Sequence, residues 1–300
     1  MVPKLNLEKR VFIEDPMEVL AEVKNIVLLM FSCFDFHPFQ KVFYDILRLF
    51  EGKYPGYRKC NTHYHDFNHT TDCLLVMARL IHGAKVTGVD FLERDVNLGL
   101  IAALMHDTGY IQTEEDQTGT GGKYTLIHIS RSIAFMGEYF LENGYSVQDF
   151  RACCNFLKCT GLDVRIGEIK FPSWEHEILG KMLGAADLIG QMADANYVAK
   201  LPFLFHEFEE GGVPGFHNEM ELLKKTPNFW ETVKMRFARE LGQVDRYLRH
   251  HFRARWGVDQ DLYHQAIERN IDSIQLINAN CKAGYPTNPC NHLMSRMFSG

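Results

Sequence analysis

Helix-start signals recur along this chain while strand signals are almost absent, and that imbalance limits the fold more than any other feature. In "DPMEVLAEVKNIVLLMF" Asp15 can cap a helix, Pro16 suits its first turn and Glu18 stands at the capping-box position. Ser146 with Asp149 opens "SVQDFRACCNFLKCTG", which Gly161 closes. Asn228 with Glu231 opens a long amphipathic run, and a last run begins near Asp259 and stops before Gly284. Alternating apolar and polar stretches and Asn-Gly hairpins are nearly missing, and no internal repeat has a fixed period. An all-α, multi-helical bundle is predicted. The chain's 300 residues are 46% hydrophobic, enough to bury a substantial core. Its irregular stretches, 112–124, 163–173 and 209–216, are too short to separate independent units. One helical domain over 1–300 is expected, with loops across its surface.

The net charge of −6 gives no general attraction to a phosphate backbone, so a nucleic acid is not an expected partner. The opening "MVPKLNLEKRVFIEDP" lacks the charged-then-apolar order of a signal peptide, and "IVLLMF" is far too short to span a bilayer. A soluble, cytoplasmic chain without membrane contact is expected. Eight cysteines without a Cys-x-x-Cys pair suit neither a zinc ribbon nor a disulfide framework and point to reduced thiols. The basic run "RYLRHHFRAR" reads as a solvated face or a surface that pairs with a second copy. Phe135, Met136 and Phe140 read as core.

Chemistry concentrates in "NTHYHDFNHTTD", residues 61–72. His65 and His69 are four apart, so on a helix they share one face and one target. The apolar run "LGLIAALMHDTGY" then delivers His106 and Asp107 just before Gly109. Imidazole and carboxylate both ligate borderline divalent metals, and a carboxylate can bridge two ions. A second apolar run, "EILGKMLGAADLIGQMAD", carries Asp187 among Leu, Ile and Ala, where a bare carboxylate needs a cation or donors. Each residue alone has a plainer reading, as a satisfied polar histidine or a helix–helix acceptor. The set is harder to dismiss.

In this order of motifs the chain resembles the HD superfamily of metal-dependent phosphohydrolases: a histidine (His69), the His106-Asp107 pair, and a distant aspartate (Asp187). The stretch "YHDFNHTTD" is similar to the Tyr-His-Asn-x-x-His-Ala-x-Asp signature of cyclic-nucleotide phosphodiesterase catalytic domains, matching at Tyr64, His65, His69 and Asp72 and departing at Asp66 and Thr70. The resemblance spans about 60–195 by motif. It implies an HD-type helical bundle around a metal site, with His69, His106, Asp107 and Asp187 as ligands and His65 as general acid. Tyr110 stands where the phosphodiesterases carry a further histidine, and in "GQVDRY" Gln243 and Val244 match their purine-reading segment while Arg246 replaces its Phe.

The expected function is hydrolysis of a nucleotide or cyclic-nucleotide phosphoester by a metal-bound hydroxide, with Asp107 bridging and orienting and His65 protonating the leaving oxygen. The alternatives are a nucleotide phosphomonoesterase and a regulatory domain that binds metal and ligand without turnover. One or two divalent ions are expected, among Fe, Zn, Mn, Mg and Ni. His128 is a candidate for a second ion or for phosphate; Tyr64, Lys123, Gln191 and Gln243 are candidate substrate contacts. Residues 112–124 hold three glycines in four positions, with no apolar side chain after Ile111 to pin them, and are expected to form a flap whose Lys123 reaches phosphate.

Overall fold

A computed structural model describes residues 11–282. Among them are eleven α-helices, short 3-10 turns and no strand; the only ladder-type pairing is an isolated bridge between Tyr57 and Thr113. The all-α expectation holds. In chain order the helices are α1 (Pro16–Leu28), α2 (His37–Phe50), α3 (Phe67–Val86), α4 (Glu93–Met105), α5 (His128–Glu142) and α6 (Val147–Lys158). They continue with α7 (Trp174–Ala193), α8 (Tyr197–Glu210), α9 (Glu219–Arg239), α10 (Tyr247–Trp256) and α11 (Leu262–Lys282).

The bundle is organised around α3, which is buried on nearly every face, as expected of a helix at the centre of a bundle rather than on its surface. Against it pack α7, α10, α1 and α4, while α11 closes over α7 and α9. No described helix is long and apolar enough to cross a membrane. The six described cysteines are free. Phe135, Met136 and Phe140 lie in the core. In the basic run, Arg249 forks onto Asp259, Arg255 pairs with Glu22 and His251 is buried, so the face is only partly solvated.

The caps explain most boundaries. Asp15 accepts from Met17 and Glu18 N–H, with Pro16 opening α1, and Ser146 with Asp149 forms the predicted capping box of α6. Two starts differ from expectation. Helix α9 begins nine residues before Asn228: Asn218 caps it by accepting from Glu221 N–H, and Pro227 sits inside the helix without ending it. Helix α11 begins at Leu262, where Asp261 accepts from Tyr263 and His264 N–H. Gly284 lies outside the described residues.

Candidate metal centre

Four separate chain segments build the centre. Asp66 caps α3 by accepting from His69 N–H at 2.9 Å, which sets His69 in the first turn. His65 precedes that cap, so the two histidines do not share a helix face as expected; they still meet, with ring centroids 5.7 Å apart. His106 ends α4, and Asp107 follows at the head of the 3-10 turn Thr108–Tyr110. Ser132 on α5 fastens this turn, donating to His106 O at 2.6 Å and accepting from Gly109 N at 2.8 Å. A Cβ on Gly109 would lie 2.0 Å from His128 O, so only glycine lets α5 dock here. Asp187 comes from the middle of α7.

The four expected ligands converge. His69 Nε2 lies 3.2 Å from both Asp107 Oδ2 and Asp187 Oδ1, and 3.4 Å from His106 Nε2. His106 Nε2 is 3.2 Å from Asp107 Oδ2 and 3.7 Å from Asp187 Oδ1. Ligand atoms about 2.0–2.2 Å from one ion stand about 2.8–3.6 Å apart at tetrahedral or octahedral angles, so these edges are those of a coordination shell. The tightest part is His69, His106 and Asp107, whose ligand atoms all lie within 4.8 Å of one another. Asp187 joins from the imidazole side. His106 Nδ1 lies 2.8 Å from Ala103 O, which places its proton there and leaves Nε2 with a lone pair. Asp107 Oδ2 is buried and accepts no hydrogen bond. An orphaned carboxylate oxygen between two imidazole nitrogens fits a divalent cation.

The electrostatics say the same. Burial opposes charge on all four residues, lowering imidazoles and raising carboxyls, but their mutual attraction wins. His69 is raised to about 9 by Asp107 and Asp187, and His106 rises well above its ordinary value. The imidazoles pull Asp107 and Asp187 below the usual carboxylate range. This cluster is built to hold positive charge, as protons or as a metal.

Around the ligands stand residues that the sequence did not single out. Glu207, on α8, places Oε2 2.5 Å from His65 Nδ1, while its Oε1 accepts from Tyr64 N–H at 2.8 Å. A carboxylate on Nδ1 fixes that ring and leaves Nε2 open. Tyr64 and Gln191 are not placed as free substrate contacts: the buried Tyr64 hydroxyl donates to Gln191 Oε1 at 2.9 Å, and Gln191 Nε2 reaches Asp187 O at 3.3 Å. Together they brace Asp187. The exposed side of the cluster is marked by His65, Asp187 and His128, which keep 13%, 15% and 21% of their side-chain surface, against 3% or less for His69, His106 and Asp107. His128 Nε2 is 3.8 Å from Asp107 Oδ1, on the oxygen opposite the cluster, and burial lowers its pKa. A neutral imidazole there suits a second ion or a phosphate-bound proton.

Two expectations fail. Lys123 is occupied, donating to Asp116 Oδ1 and Thr118 O at 2.6 Å each, so it is not a free cation for phosphate. The 112–124 segment is a fastened strap rather than a flap: Thr120 N donates to Glu210 at 2.6 Å, Gly121 N to Asn61 at 2.9 Å, Tyr124 bonds Asp116, and Arg131 lies 3.5 Å over the Tyr124 ring. Polar anchors from other helices replace the apolar pins that the segment lacks. Gln243, expected as a substrate contact, is exposed, in left-handed backbone (φ 56°), on the turn before α10, where its N–H donates to Phe237 O at 2.8 Å.

No curated protein matches the chain. The model of the Npun_R2479-like family matches residues 56–255, a span that contains every residue of the centre from His65 to Glu207. The chain therefore belongs to the Npun_R2479-like family.

Proposed function

We propose that the protein is a metal-dependent phosphohydrolase acting on a phosphoester, with a nucleotide or cyclic-nucleotide phosphodiester as its preferred class. One observation carries the reading: four ligand atoms from three distant segments surround a common point beside the unpartnered Asp107 Oδ2, with His65 standing at the open edge. A divalent ion held there lowers the pKa of a coordinated water from about 15.7 toward about 7 and withdraws charge from phosphoryl oxygens.

The chain's own residues supply the rest. Asp107 presents one oxygen to the His69–His106 pair and the other toward His128, which suits holding a polar ligand between two positions. His65, fixed through Nδ1 by Glu207, is the acid for the leaving oxygen, since its Nε2 is the ring nitrogen left open. Gln191, held by the Tyr64 hydroxyl, donates Nε2 to Asp187 Oδ1 at 3.4 Å and keeps that carboxylate from rotating away.

The test is metal analysis of purified protein, then a panel of cyclic nucleotides, mononucleotides and bis(p-nitrophenyl) phosphate with each metal restored. Metal-dependent turnover of a diester supports the proposal. Turnover of monoesters alone assigns a phosphomonoesterase, and tight metal binding with no turnover of any phosphoester makes the domain regulatory.

A further inference from the structure

Tyr110 is buried beside the centre, with 2% of its surface exposed, and its backbone N–H donates to Asp107 O at 3.1 Å. Its ring stacks on two imidazoles. The His65 centroid lies 4.3 Å away with 9° between planes, and the His128 centroid 4.7 Å away at 18°. The two imidazoles are only 6.4 Å apart. The three distances form nearly a right angle at the phenol, so each imidazole overlies the Tyr110 ring with a lateral offset.

The backbone is held so that this ring cannot drift. Arg131 donates to Gly109 O at 2.7 Å and to Ile111 O at 2.9 Å, bracketing Tyr110 from both sides. Behind it, a Cβ on Gly121 would lie 2.1 Å from Tyr110 O, so the 112–124 strap closes directly onto this residue. The phenol itself is kept neutral: burial raises its pKa well above 10, and its hydroxyl pairs with the Thr125 side chain. A protonated phenol turned to Thr125 offers no anionic oxygen to an ion.

We propose that Tyr110 is a positioning residue whose aromatic ring, stacked on both imidazoles, is the floor setting the distance between His65 and His128. The idea rests on the proposed reaction, in which His65 serves the leaving oxygen and His128 the far side of Asp107. Glu207 and Thr125 O tether only the Nδ1 edge of each ring, at 2.5 and 2.6 Å. Each imidazole can still tilt about its tether, and the floor removes that freedom. Misplacing a catalytic group by about 1 Å costs about 10²-fold in rate, so the floor acts on turnover rather than on binding.

Three measurements test it, with bis(p-nitrophenyl) phosphate as probe and the metal-loaded full chain as enzyme. Tyr110→Phe keeps the ring and retains kcat within about threefold, while Tyr110→Leu removes it and lowers kcat about 10–100-fold. In both, KM and metal content stay at wild-type values. A Leu variant as active as the Phe variant, or a Phe variant as damaged as the Leu variant, overturns the proposal. The third measurement needs no variant at Tyr110 and no turnover. In the zinc-loaded wild-type protein, the ring protons of His65 and His128, assigned with His65→Gln and His128→Gln, resonate upfield of exposed histidines because they sit over an aromatic face. Ordinary shifts for both rings overturn the floor. Failure of every phosphoester as substrate sinks the proposed function instead and leaves this spectroscopic result standing separately.

Discussion

Helix α3 carries two buried histidines, each pressed against a second imidazole, and the two pairs have opposite characters. Near its start, His69 Nε2 faces His106 Nε2 at 3.4 Å; near its end, His82 Nδ1 faces His251 Nδ1 at 3.1 Å. Around the first pair stand Asp107 and Asp187, and His69 is raised to about 9. The second pair has no carboxylate among its charged neighbours. Burial, then Arg255, lowers His82 to about 4, and burial, then Arg79, lowers His251 well below its ordinary value. Two facing imidazoles do not make a metal centre. In the proposed reading the carboxylates make the difference, giving the first pair a negative surround that a cation would neutralise, while the second pair stays a neutral packed contact.

The largest effect follows from removing that surround. Asp107→Ala should lose metal and activity together, dropping metal content from about one equivalent toward zero by mass spectrometry of the purified protein. His251→Phe should keep full metal content and change stability alone. If the two variants bind metal equally, the contrast between the pairs is wrong.

Next in size are the residues at the open edge. His65→Ala should keep its metal and slow turnover by about 10²–10⁴-fold. Glu207→Gln should slow it by about tenfold, because it releases the ring without removing it. Loss of metal in the His65 variant would mean that a ligand has been mistaken for the acid.

The pairs also predict opposite slopes of stability with pH. His69 has a folded pKa above its unfolded value, so without metal its contribution is complete below about 6.5 and is lost as pH rises through about 9. His82 is depressed, so its contribution is complete above about 6.5 and is lost as pH falls toward about 4. Metal-stripped protein should therefore melt highest near pH 6.5. Saturating zinc should abolish the alkaline loss, because ligation needs neutral imidazoles, and steepen the acid loss, because the same imidazoles protonate and release the ion as pH falls. Identical profiles with and without metal would break the comparison.

The sequence made much of this readable, for definite reasons. Caps such as Asp15 and Ser146 act within one turn, so their partners are visible locally. The clustered residues were legible because a carboxylate inside the apolar α7 run and a His-Asp pair ending the apolar α4 run have few other uses. Glu207 was not, since it is one of several acids on α8 and lies 142 positions along the chain from His65. Tyr64 and Gln191 carry polar groups that sequence cannot assign to substrate or to each other. The start of α9 was hidden by Pro227, whose missing N–H reads as a boundary although Asn218 caps the helix earlier.

The strap gives the smallest effect. Lys123→Ala should leave kcat and KM within about twofold and lower Tm by about 2 °C, the size expected for one partly exposed polar contact in a chain of this length. A large rise in KM would return Lys123 to the substrate.

The central claim is that His69, His106, Asp107 and Asp187 hold one metal ion. Anomalous diffraction from a crystal of the zinc-loaded protein tests it most directly. The account predicts a single strong peak about 2.0–2.3 Å from His69 Nε2, His106 Nε2, Asp107 Oδ2 and Asp187 Oδ1. A peak elsewhere, or none at this point in zinc-saturated crystals, would contradict it.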